Sequence, residues 1–156
     1  MGMESFTVML FSNAPQDAIL DFFHGREFVG ADASRFWMEG TFIERVTSEF
    51  IVEGLIQKRD KHFSVSLRFA LSNPDTVDAY MKTLILDFFD QWRTQVIFMS
   101  GTRKDLDFSP KDKDALLQAL DEQIPILRHL WQSRTGQYKT APLRASEAYK
   151  FTGLVD

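Results

Sequence analysis

Arg45, Glu53, Ser64, Ser66 and Arg68 are the residues whose types and spacing come nearest to a chemical site in this chain. Ser64, Ser66 and Arg68 alternate along one side of a strand, with Thr7, Met9 and Phe11 on the matching side of another. If Arg45 and Glu53 share that side, two guanidiniums, two hydroxyls and a carboxylate converge, a set suited to a small anion. The other groupings are weaker. Asp17, Asp21 and His24 share one helical face at i, i+4 and i+7, but the same spacing describes a solvated face with a histidine favoured by the helix C-terminus. Asp87 and Asp90 flank Phe88 and Phe89 as the exposed edge of a core stripe. No metal is assigned to either group.

A second kind of chemistry is offered by Phe36 and Trp37 in "SRFWMEG", residues 34 to 40. Aromatic and methionine side chains in a loop beside Glu39 can anchor a protein partner, because they bring much contact area for little ordering cost. The same rings can instead fold over one end of the core. Glu49 and Glu53 would supply long-range attraction for a basic partner. Ordinary enzyme motifs are absent: the chain holds no G-x-S-x-G, H-E-x-x-H, G-x-G-x-x-G or phosphate loop. Catalytic residues are therefore unassigned, catalysis is not the expected role, and no cofactor is expected.

The elements that must position these residues follow from periodicity. "FTVMLFSNAPQDAILDFF", residues 6 to 23, is echoed by "FSVSLRFALSNPDTVDAYMKTLILDFF", residues 63 to 89. Each begins with alternation, the signature of a strand, then reaches Ser-Asn, a proline and an apolar stripe at helical spacing. Asn13 with Gln16, and Asn73 with Pro74, read as helix caps, and Gly25 as a left-handed stop. Residues 41 to 57 read as one long strand with Phe42, Val46, Phe50, Val52 and Ile56 inward and Arg45 and Glu53 outward. "TQVIFMS" supplies a further strand, apolar on both faces.

Strand, helix, strand, strand, helix, strand is the order of a ferredoxin-like βαββαβ sandwich, an α+β fold whose two halves match each other. The expectation is a single domain over 1–156, with the core in 1–101, an additional helix in 102–134 and a tail or docked arm in 135–156. Ser109 and Pro110 should start the added helix, and Pro125 should kink or divide it. Its Leu120, Ile124 and Leu127 should cover the sheet or meet a second subunit.

The totals narrow the roles. At 156 residues with no cysteine, the chain can bury a full core without disulfides. Residues 1 to 100 hold 9 Lys/Arg against 14 Asp/Glu, and the remainder 9 against 8, so an acidic body faces any partner. That field repels phosphates, and no aromatic run of the RNA-recognition kind lies on the central strands, so nucleic acid is not an expected partner. No stretch approaches the roughly 20 apolar residues of a membrane span, and a cytoplasmic location is expected. A long polar strand at the sheet edge permits a homodimer. The leading expectation is an acidic protein-interaction module, of inhibitor or immunity type, for a basic partner; the alternative is a small-molecule binding domain or enzyme using the open face of the sheet.

Overall fold

Two strands with unbroken alternation lie side by side at the centre of the sheet, β1 (Ser5–Ser12) and β5 (Phe63–Ala70). Phe6, Val8 and Leu10 stand opposite Phe69, Leu67 and Val65, and all six are fully buried. In the computed structural model, residues 5–32, 39–98, 106–109, 111–135 and 142–145 are described. Around the central pair the chain forms α1 (Gln16–His24), a two-residue β2 (Val29–Gly30), β3 (Thr41–Val46), β4 (Ile51–Lys58), α2 (Thr76–Trp92), β6 (Gln95–Phe98), β7 (Leu106–Phe108) and α3 (Lys113–Thr135). The fold is α+β: one sheet in the order β2-β3-β4-β5-β1-β6-β7, every pairing antiparallel, with helices packed on one side.

The expected ferredoxin-like strand order is not reproduced, because the sheet has seven strands in place of four, and a four-residue turn supplies one of them. Residues 41 to 57 are two strands, because Thr47 folds the chain back on itself. Its amide donates to the Phe50 carbonyl at 2.9 Å, and its Oγ1 accepts from the amides of Glu49 and Phe50. β5 runs antiparallel to β1, as the two central strands of a βαββαβ sandwich also do. The same turn moves β4 into the interior of the sheet, so the long polar edge strand expected there does not exist; β2 forms that edge.

Facing changes at the turn. Glu44 pairs with Glu53 and Arg45 with Val52, so even-numbered residues of β3 share a face with odd-numbered residues of β4. Phe42 consequently lies on the face away from the helices, while Ile43, Val52 and Ile56 enter the main core.

Helix ends also depart from the sequence reading. Pro15 and Asp75 are the N-caps of α1 and α2, and neither side chain makes a capping bond. Gln16, expected in a capping box, donates instead to Thr41 Oγ1 at 2.9 Å. Gly25 stays right-handed (φ −63°), and the chain turns left-handed at Glu27 (φ 67°). There the Glu27 amide reaches the His24 carbonyl and the Phe28 amide reaches back to that of Phe23, while the Phe23 and Phe28 rings meet at 5.2 Å. This is a Schellman ending with its usual hydrophobic contact.

All three helices contribute to one buried cluster. Ile19, Phe22 and Phe23 of α1 meet the stripe of α2, with Phe22 to Phe88 at 5.3 Å and Phe88 to Trp92 at 4.7 Å between ring centroids. α3 starts at Lys113, later than the Ser109 and Pro110 signal placed it, and continues undivided through Pro125. Its Leu116, Leu120, Ile124, Leu127 and Trp131 join the same cluster beside α2, so the helix widens the existing layer and leaves the opposite sheet face to other elements.

Gly40 marks the entry to β3. Its φ of +152° disfavours any side chain, and a Cβ built there would lie 2.7 Å from the Ile56 carbonyl oxygen. Because that oxygen belongs to the sheet backbone, Gly40→Ala should cost about 1 to 3 kcal/mol in chemical denaturation. Leu67→Ala should cost about 2 to 5 kcal/mol, whereas Ser66→Ala, one residue away on the other face, should change stability by less than about 0.5 kcal/mol. Comparable losses at positions 66 and 67 would contradict the assigned facing.

Candidate functional site

The face of the sheet away from the helices carries Phe42 and Glu44 of β3, Ile51, Glu53, Leu55 and Gln57 of β4, Ser64, Ser66 and Arg68 of β5, and Thr7, Met9 and Phe11 of β1. Arg68 stands opposite Glu53, Nε to Oε1 at 3.5 Å, and Glu53 is only 3% exposed. Ser64 is fully buried and accepts from Arg59 Nε at 3.0 Å. Ser66 lies half-buried between Met9 and Leu55. Arg45 does not join them. It faces the helices, bonded to Glu27 at 2.9 Å, with its guanidinium carbon 4.6 Å from the centre of the Tyr80 ring. Burial raises the Tyr80 hydroxyl above its ordinary range, an effect the neighbouring Arg45 opposes.

Of the residues singled out for a protein partner, Glu49 sits exposed at the tip of the β3–β4 hairpin. Phe36 and Trp37 lie outside the described residues. Part of the sheet face is crossed by residues 142 to 145, where Arg144 grips Glu44 with bonds of 2.9 and 3.2 Å. The Leu143 carbonyl accepts from Asn73 Nδ2 at 2.9 Å.

Asn73 introduces a polar centre that the capping reading missed. It is 0% exposed, and its side chain also accepts from the Ile51 amide and donates to the Ala70 carbonyl. Beside it Arg128 of α3 uses all five of its guanidinium N–H groups. Two meet Asp78 at 2.7 Å each, two reach the carbonyls of Leu71 and Asn73 at 3.0 Å, and one reaches that of Pro74 at 3.3 Å. Burial pushes the Asp78 carboxyl above its usual value, with the bonds and charge of Arg128 pulling it back. The sequence did hold a signal: Arg128 follows Ile124 by four and precedes Trp131 by three, which puts a charge on an apolar stripe.

At one end of the sheet, where β1 finishes and β6 begins, lies a cleft of about 340 Å³. Ser12, Asn13, His62, Arg93, Thr94 and Gln95 contribute its polar lining, with Phe11 and Trp92 as aromatic walls. Arg93 ends α2 in the left-handed conformation, φ 49° and ψ 51°, which a residue with a side chain seldom adopts. The His62 ring stands edge-on to Phe11 at 5.3 Å. Among the described residues, no group of three or more His, Asp or Glu side chains could hold a metal ion. No helix among them is long and apolar enough to cross a membrane. No protein-family description, curated protein or solved structure matches the chain.

The polar centre has measurable consequences. Arg128→Met strands a carboxylate and three carbonyls together, so it should cost about 3 to 5 kcal/mol in urea denaturation. Asp78→Asn keeps an acceptor for the guanidinium and should cost less, about 1 to 3 kcal/mol. Because the folded chain holds the Asp78 proton more tightly than the unfolded chain, this group makes stability fall as pH rises from 3.8 through its raised folded value. A pH series of melts should show that decline in the parent and its loss in Asp78→Asn.

Proposed function

We propose that the protein acts by binding another protein, as an inhibitor or immunity-type module whose acidic helical layer meets a basic partner. What supports this reading is where the charge sits. α1 and α2 carry five carboxylates against the single lysine Lys82, which gives these two helices −4, the formal net charge of the whole chain. Asp17 and Asp21, one turn apart and exposed on α1, make no ion pair among the described residues. On α2, Asp87 faces Arg26 at 3.5 Å and Asp90 faces Lys113 at 2.7 Å, yet both remain more than two-fifths exposed.

Charge of one sign on one layer creates a field that reaches beyond contact and speeds encounter with an opposite surface. Uncommitted carboxylates add to it most, because no neighbouring cation cancels them. A ligand role for the open sheet face would run through Arg68, which already has Glu53 opposite it. Glu53 itself is too deeply buried to touch a partner, whereas Glu49 and the aspartates of α1 are exposed.

Affinity capture from host-cell lysate, with the parent and with Asp17→Lys/Asp21→Lys in parallel, tests the reading. A basic protein should be retained by the parent at about 50 mM salt, be depleted at about 300 mM, and be lost with the double variant. Both substitutions are on exposed helix positions and should leave melting within about 0.5 kcal/mol of the parent. The reading fails if both baits retain the same proteins, or if those retained are acidic.

A further inference from the structure

We infer that the cleft at the end of the sheet is a binding site for a small organic anion, a carboxylate or phosphate monoester attached to a flat apolar group. The inference rests on which side chains line it and on what they are already doing. His62 and Arg93 are the only ionisable residues in the lining, so no carboxylate opposes an anion there, although the chain as a whole is acidic. Elsewhere the arginines whose side chains are described are committed: Arg26 to Asp87, Arg45 to Glu27, Arg59 to Ser64 and Gln57, Arg68 to Glu53, Arg128 to Asp78 and Arg144 to Glu44. Arg93 breaks this pattern. Its backbone amide bonds the Phe89 carbonyl, but among the described residues its guanidinium has no ion-pair or hydrogen-bond partner.

The remaining polar lining divides into fixed and available groups. Ser12 and Thr94 are buried and fixed: Ser12 Oγ accepts from the Ala14 amide at 3.0 Å, and Thr94 Oγ1 donates to the Gln95 carbonyl at 3.2 Å. Among the described residues Asn13 and His62 make no side-chain hydrogen bond, and with Arg93 they leave three sets of donors around one concavity. A guanidinium meets carboxylate or phosphate oxygens through a planar fork, and a neutral amide and an imidazole N–H can complete the shell.

The walls specify the rest of the ligand. Phe11 and Trp92 are both half-buried, and Trp92 is held against Phe88 and Phe22, so one aromatic wall is fixed by the core. A flat apolar group can lie against them while its charged end meets Arg93. At about 340 Å³ the cleft falls at the small end of ligand sites, which run from roughly 300 to 1,000 Å³. The left-handed backbone at Arg93 belongs to the same construction. It ends α2 and turns the chain directly into Thr94 and β6, so that Trp92 and Arg93 both border the cleft.

Phenyl phosphate and benzoate are suitable probes, with inorganic phosphate and benzyl alcohol as controls, followed by thermal shift and amide chemical shifts on the full chain. Phenyl phosphate should raise the melting temperature and move the resonances of residues 11 to 14, 62 and 92 to 95, inorganic phosphate should do so more weakly, and benzyl alcohol should not. Arg93→Gln should weaken phenyl phosphate at least about tenfold, and Arg93→Gln/His62→Gln should abolish the shift. Arg93→Lys, which keeps a charge but loses the fork, should restore part of it. The inference is overturned if phenyl phosphate at about 10 mM moves none of these resonances, or if it binds the double variant as tightly as the parent. The helix-face variant Asp17→Lys/Asp21→Lys should still bind the probe, so loss of a protein partner and loss of the anion site are separate results.

Discussion

The carbonyls of Leu71, Asn73 and Pro74 impose the constraint around which the rest of the molecule is arranged. They belong to a loop that leaves the central strand β5 and enters α2, with Leu71, Ser72 and Asn73 essentially sealed from water. Buried carbonyls without donors are costly, and a loop cannot supply its own as a helix or sheet does. The donors come from far along the chain, in the guanidinium of Arg128. The Asn73 side chain then links the loop to the first amide of β4 and to the segment at Leu143. One short polar stretch thus determines where α3 packs, how β4 starts and where residues 142 to 145 cross. The ion pair with Asp78 orients Arg128, but the raised Asp78 carboxyl shows that burial takes back much of what their attraction contributes.

Much of this architecture was legible in the residues themselves. Alternation located β1 and β5 and assigned the correct faces, because their apolar positions are strictly periodic and fully buried. Apolar stripes located α1, α2 and α3. The failures have particular causes. Residues 41 to 57 are β-prone throughout, and the break at Thr47 carries no glycine or proline; it depends on one hydroxyl serving three backbone groups. Missing it placed Arg45 on the wrong face. Asn73 was read as a cap because Asn-Pro-Asp before a stripe is a common helix start, whereas tertiary contacts here claim the same side chain. The strand-end cleft could not be read locally, since its lining comes from segments near 12, 62 and 93 that only the sheet brings together.

The half-repeat follows from packing in this topology. β1 and β5 are antiparallel neighbours, each followed by a helix that returns over the same side of the sheet, so the two segments occupy equivalent surroundings. Equivalent packing explains their shared phenylalanines. Their Ser-Asn turns then diverge in role. Asn73 is wholly internal and bonded on both ends of its amide, while Asn13 is exposed at the rim of the cleft. The same pair of residues builds a structural knot at one end of the central strands and a solvent-facing recess at the other. The acidic charge is concentrated on α1 and α2, whereas no carboxylate lines that recess.

The central position of β1 has a consequence for how the protein is made. Residues 5 to 12 leave the ribosome before either of their neighbours exists, since Thr7 pairs with Arg68 and Val8 with Phe98. The nascent chain must therefore carry Phe6, Val8 and Leu10 unpaired while α1 and the β2–β4 meander are synthesised. Local hairpins such as β3–β4 close early, but the sheet gains its centre only when β5 arrives, and its second half only with β6. Such distant pairing makes folding slow for a chain of this size and gives chaperones a defined apolar segment to hold during translation.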